Sequence, residues 1–127
     1  MKPNDIQPAS LVGYHVVEIG LRQAWPFVTL APGDETADET AEFGEVRLYI
    51  DSAFTVRPSP PDTGTGAEDD ERLWLLRLAE VLYLTVDSVS VATDASLSMR
   101  FAGDITLEVS GQGAPWTIAE VWWLGRP

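Results

Sequence analysis

Gly44-Glu-Val-Arg-Leu-Tyr-Ile50 recurs as Gly103-Asp-Ile-Thr-Leu-Glu-Val109, and this pair of seven-residue stretches decides the fold class. In the first, Val46, Leu48 and Ile50 alternate with Glu45, Arg47 and Tyr49; in the second, Ile105, Leu107 and Val109 take the apolar places. Successive side chains of a strand point to opposite faces, so a period of two describes a strand buried on one face and open on the other. Upstream, Val16-Val-Glu-Ile19 parallels Val86-Asp-Ser-Val89 at an offset of 70 residues, and Val28-Thr-Leu30 falls opposite Met99-Arg-Phe101 at an offset of 71. The two glycine motifs are 59 apart, and the shortfall of 11 is about the length of the stretch between Ala31 and Phe43. Each half therefore reads as one strand followed by a hairpin, with the hairpin tight at Gly103-Asp104 and expanded in the first half.

The rest of the chain fits around that repeat. Val12 to Leu21 reads as a strand with a bulge or two-sided burial at Val16-Val17, where the alternation breaks. Trp25-Pro26 is expected to interrupt pairing, because proline has no N–H to donate, and Phe27 to Leu30 to resume it. Asp51-Ser52 reads as a turn, followed by a short strand over Ala53 to Val56. Arg57 to Gly66 has a linker's composition, with three prolines and two glycines. A helix is predicted over about Asp70 to Leu82, with Asp69 or Asp70 as N-cap and Trp74, Leu75, Leu78, Ala79 and Leu82 as its apolar stripe. Leu73 and Leu76 suggest cover on its far side as well. Thr85 to Ala92, Ser96 to Phe101 and Trp116 to Leu124 complete the strands.

The segment from Ala31 to Phe43 differs in kind. It carries Asp34, Glu35, Asp38, Glu39 and Glu42 without a basic residue and is poor in apolar side chains, so it reads as a mobile loop. Over all 127 residues, twenty acids against eight bases give a net charge of −12. Such a charge repels phosphate backbones and anionic membrane surfaces, and steers a basic protein toward the chain. Its plainest consequence is solubility. Hydrophobic residues, at 45 %, suffice for one core, so a single domain over 1–127 is expected, with the pseudo-repeat at about 11–57 and 82–124 joined by 58–82. No stretch approaches the ~20 apolar residues that span a bilayer, and a cytoplasmic location is the default expectation.

Leu11-Val-Gly13, Val16, Ile19, Phe27, Leu30 and the Gly44 motif, then Leu97-Ser-Met-Arg-Phe101, the Gly103 motif and the late Trp116 and Trp122-Trp123, resemble small bacterial β-rich domain families of unknown function. Some such relatives occur among the immunity and accessory proteins of bacterial toxin systems. The resemblance covers most of the chain and rests on hydrophobic spacing and glycines. It brings no functional residues, and the acidic insert and Pro-rich linker depart from the compact pattern.

Residues for chemistry are scarce. The chain has no cysteine, which removes disulfides, thiol catalysis and thiolate-ligated metals. Its single histidine, His15, lies in a predicted strand, whereas a catalytic dyad or triad needs it beside a nucleophile. The loop acids lack the Asp-x-Asp-x-Asp-Gly spacing of a calcium loop, and Gly64-Thr-Gly66 lacks the lysine of a phosphate loop. Trp74 reads as core. The adjacent Trp122 and Trp123 must point to opposite faces of a strand, so one of them is available to a second layer, a partner or solvent.

These readings predict a β-rich α+β fold: two similar three-strand antiparallel units in a curved sheet, barrel or sandwich, covered by one helix. The predicted function is non-enzymatic and without cofactor or metal. It is docking of a basic protein partner through Asp34, Glu35, Asp38, Glu39, Glu42 and Trp122 or Trp123. A self-associating module, as a homodimer, and a small-ligand binder using a barrel interior are the alternatives.

Overall fold

The computed structural model describes residues 6–23, 25–33, 44–57, 71–114, 117 and 120–127. The acidic segment 34–43, the linker 58–66, the N-cap candidates Asp69 and Asp70, and Trp116 lie outside that set.

Alternation produces strands where it was cleanest. In β3 (Val46–Ile50) and β7 (Ile105–Val109) the apolar set Val46, Leu48, Ile50, Leu107 and Val109 is buried. With β1 (His15–Arg22) and β2 (Trp25–Ala31), β3 builds a three-strand antiparallel unit; β5 (Val86–Val91) and β6 (Leu97–Phe101) build the same unit with β7. The register reproduces the sequence offsets residue by residue. Val16 faces Leu30 as Val86 faces Phe101, and Val28 faces Leu48 as Met99 faces Leu107. Both first strands slip register at equivalent places, between Val16 and Glu18 and between Val86 and Ser88. The broken alternation at Val16-Val17 is thus a bulge, and the second copy has one at the matching place. At Gly103 and Asp104 two consecutive residues have positive φ, 86° and 63°, which lets the second hairpin close tightly.

Each unit lends its next strand to the other. β4 (Phe54–Arg57) follows β3 but pairs with β7, and β8 (Trp122–Gly125) follows β7 but pairs with β3. The result is two four-stranded sheets, β1-β2-β3-β8 and β4-β7-β6-β5. Asp51-Ser52, expected to be a simple turn, is the crossing point and is buried. Buried polar groups need partners. The Asp51 N–H donates to Val121 O at 2.8 Å, the Ser52 hydroxyl to Ser110 O at 2.9 Å, and the Ser110 N–H to Ala53 O at 2.8 Å, so the two crossings hold each other. The sheets also meet at one edge. Val86 N donates to Tyr14 O, Val16 N to Leu84 O and Tyr83 N to Val16 O, and His15 bridges Thr85. Neither sheet closes into a barrel.

One core lies between the sheets, filled by Leu30, Leu48, Ile50, Met99, Phe101 and Leu107, with Leu11 from a 3-10 turn at Pro8–Leu11 and Tyr14 from the segment between that turn and β1. Helix α1 (Glu71–Ala79) packs on β1, β2 and β4 and buries Trp74 and Leu78. It ends three residues before the predicted Leu82. The chain turns at Glu80–Tyr83 to bring the Tyr83 N–H to β1, and this aims Val81 into the core and leaves Ala79 exposed. Leu76 is exposed and Leu73 half-buried, so the expected cover over the far side of the helix is only partial.

Other boundaries shift for local reasons. β1 starts at His15 because Val12 and Gly13 complete the preceding turn. Pro26 lies inside β2, opposite Leu21, rather than interrupting it. The β2–β3 register begins at Phe27, so the missing N–H removes no bond to β3. Of the predicted Trp116–Leu124 strand, β8 covers Trp122, Trp123 and Leu124 and continues to Gly125.

Candidate functional site

The predicted partner-binding residues divide. Asp34, Glu35, Asp38, Glu39 and Glu42 belong to the segment outside the described residues, whose ends join β2 to β3. Trp122 and Trp123 stand on β8 with opposite orientations. Trp122 turns inward to the edge of the core, and its indole N–H donates to Ala95 O at 2.7 Å, tying β8 to the β5–β6 turn. Trp123 faces outward and is half-buried.

Around Trp123 the outer face of the first sheet gathers aromatic side chains from β2, β3 and β8. One cross-strand row runs Gly20, Phe27, Tyr49, Trp123. Tyr49 stacks on Trp123 with centroids 5.2 Å apart and an interplanar angle of 19°, and Trp25 meets Trp123 edge-on at 5.1 Å. Offset stacks and edge-to-face pairs are the favoured aromatic arrangements. Phe27 lies over the bare backbone of Gly20, where a Cβ would come within 2.7 Å of its ring. Gly20 is therefore small because an aromatic ring occupies its side-chain space.

The next row runs Glu18, Thr29, Arg47, Gly125. Arg47 is its hub. Its Nε donates to Thr29 Oγ1 at 3.0 Å and its Nη2 to Glu18 Oε1 at 3.1 Å, while the Thr29 hydroxyl donates to the same Glu18 oxygen at 3.1 Å. The guanidinium carbon sits 4.1 Å from the Phe27 centroid, within cation–π range. These contacts explain why Phe27 and Thr29, on the outer face, are buried. Burial opposes the guanidinium charge, but hydrogen bonding and attraction from Tyr49 and Glu18 outweigh it and hold the Arg47 pKa above its ordinary value.

The matching positions on the second sheet show what the fold itself requires. The row equivalent to Gly20-Phe27-Tyr49-Trp123 is Ser90-Ser98-Glu108-Thr55, and Ser88-Arg100-Thr106-Arg57 replaces the Arg47 row. Its ion pairs, Arg57–Glu108 at 2.6 Å and Arg100–Asp104 at 2.7 Å, are open to solvent. A groove of about 310 Å³ opens here, with Thr55, Ser98 and Glu108 among its lining.

Among the described residues neither face brings together a nucleophile, a base and an orienting group. His15 lies half-buried in β1 beside the Thr85 bridge. Among the described residues no three His, Cys, Asp or Glu side chains are placed to hold a metal ion, and no helix is long and apolar enough to cross a membrane.

The charge is unevenly distributed along the sequence. Residues 34–42 hold five acids and residues 62–71 another five, with no base in either, which leaves ten acids against eight bases elsewhere. Sequence reasoning found Trp123 and missed Trp25, Tyr49 and Arg47, since Tyr49 and Arg47 were read only as outward-facing and Trp25 only as part of a break in pairing; a shared face needs the register. The chain matches no protein-family model, no curated protein and no solved structure.

Proposed function

We propose that this chain is a non-enzymatic binding protein that docks a basic protein partner, of the immunity or accessory kind its sequence resembles. The net charge of −12, half of its acids lying in two stretches free of bases, 34–42 and 62–71, is the observation that carries the reading. A field of that sign raises the encounter rate with cationic surfaces and falls off as salt shortens the Debye length from about 10 Å at 0.1 M to about 3 Å at 1 M.

Capture from the native cell at low salt is expected to recover a basic partner. Its association rate, measured on the purified pair, is expected to drop steeply with salt. A partner without basic character, or a rate indifferent to salt, overturns the reading. Deleting residues 34–42 removes five acids and is expected to slow association; unchanged capture removes that segment from the contact.

Self-association is the second reading, favoured by the position of β8 at the end of its sheet's strand order. Size-exclusion chromatography with light scattering separates the two, because a stable homodimer of the isolated chain supports self-assembly.

A further inference from the structure

We infer that the outward aromatic face of the first sheet, centred on Trp123 with Tyr49 and Trp25 beside it, is the surface on which a cationic polypeptide docks. Lysine and arginine side chains of the partner lie against the indole and phenol rings. The inference rests on the basic-partner reading and adds the surface that the partner meets.

The repeat supplies an internal control. Two units of the same register and strand pairing carry different outer rows, Gly20-Phe27-Tyr49-Trp123 on one and Ser90-Ser98-Glu108-Thr55 on the other. Polar side chains serve that row of the second sheet, so pleat and core packing do not demand aromatic ones. The aromatic set is an addition to the fold. Three of its rings, Trp25, Tyr49 and Trp123, stay half-buried, which leaves apolar surface in water that a partner can cover. Trp and Tyr in such positions are the commonest anchors of protein interfaces.

Local geometry gives access. In the row next to Trp123 the outward position on β8 is Gly125, and a Cβ there would meet nothing within 4 Å, so the flank of the indole is open to a guest side chain. Arg47 does not repel a cation strongly, because Glu18 pairs with it at 3.1 Å. Arg47 over Phe27, at 4.1 Å, shows the same cation-on-ring contact within the chain.

Charge selects the occupant. A second copy would bring −12 against −12 with an equally aromatic face, whereas a Lys- and Arg-rich segment gains from both the rings and the long-range field.

The test titrates ¹⁵N-labelled protein at low salt with a synthetic lysine- and arginine-rich peptide of about twenty residues, with polyglutamate as control. The indole N–H signals of Trp25 and Trp123 are expected to shift, while that of Trp122, bonded to Ala95 O, stays in place. Trp123→Ala is expected to weaken binding about 30-fold, the loss of one strong anchor, and Trp123→Phe to retain most of it. Thr55→Ala and Ser98→Ala on the second sheet are expected to leave affinity unchanged. If Trp123→Ala does not fold, the wild-type indole signals and Trp123→Phe decide.

Peptide binding that leaves the Trp25 and Trp123 signals unmoved overturns this surface and leaves the basic-partner reading standing. No peptide binding at low salt overturns both. A dimer of the isolated chain that Trp123→Ala dissolves assigns the face to a second copy and overturns the inference.

Discussion

Replacing Arg47 by Ala should be among the most damaging surface-facing substitutions in the chain. Its side chain is 14 % exposed although it projects from the outer face of a sheet. Four contributions are lost together. The cation over the Phe27 ring is worth about 1 kcal/mol in a partly desolvated setting. The hydrogen bond to Thr29 contributes about 1 kcal/mol, and no more, because the Thr29 hydroxyl keeps its bond to Glu18. Burial of the arginine stem over Phe27 adds about 1 kcal/mol. The ion pair itself contributes about 0.5 kcal/mol or less, since Glu18 is 53 % exposed. The expected loss is about 3 kcal/mol. Arg57→Ala is the control, because Arg57 has a shorter ion pair, 2.6 Å to Glu108, but is 69 % exposed with a partner 43 % exposed. Its expected cost is below about 0.5 kcal/mol. Equilibrium urea unfolding of the two variants measures the contrast directly, and Arg47→Lys should fall between them because an ammonium keeps the charge but loses the fork. Losses for Arg47→Ala and Arg57→Ala within about 0.5 kcal/mol of each other would refute the view that the ring and the buried hydroxyl, rather than the ion pair, fix Arg47.

Gly111→Ala should be severely destabilising, by about 3 kcal/mol or more, since its Cβ would stand about 2.1 Å from Asp94 O and 2.6 Å from Ser96 N, both rigid backbone. Gly125→Ala, with open space at the same test, should be neutral in thermal melts, and equal effects at the two sites would discredit the packing argument. Asp94 accepts hydrogen bonds from the Ser96 N–H at 3.0 Å and the Ser96 hydroxyl at 2.8 Å, and these lower its pKa. A carboxyl depressed on folding contributes stability above its unfolded value, near 4, and loses it as pH falls through the folded value. The stability difference between wild type and Asp94→Asn should therefore shrink below about pH 4. A difference that stays constant from neutral pH down to about pH 2 would reject the assignment.

Much of this fold was legible in one dimension because the signals are local. Alternation at Val46-Leu48-Ile50 and Ile105-Leu107-Val109 fixes strands and their buried face. The break in alternation at Val16-Val17 marked where β1 slips register, and the pairing decided for a bulge over two-sided burial. The opposite orientations of Trp122 and Trp123 follow from adjacency in a strand. Where local and tertiary demands competed, tertiary ones won: the helix stops at Ala79 because Tyr83 bonds to β1.

What the sequence by itself determined is therefore the pair of three-strand units, the buried face of their clean strands and the acidic character of 34–42 and 62–71. Only the tertiary structure decided that β4 and β8 cross to the opposite units, and that Asp51 and Ser52 are buried where they cross. It alone placed Trp25, Tyr49 and Trp123 on one face with Arg47 beside them. The physical reason is range. A side chain's face follows from its neighbours two residues away, but which strand lies beside it depends on burial of a shared core by segments about 75 residues apart, such as Tyr49 and Trp123.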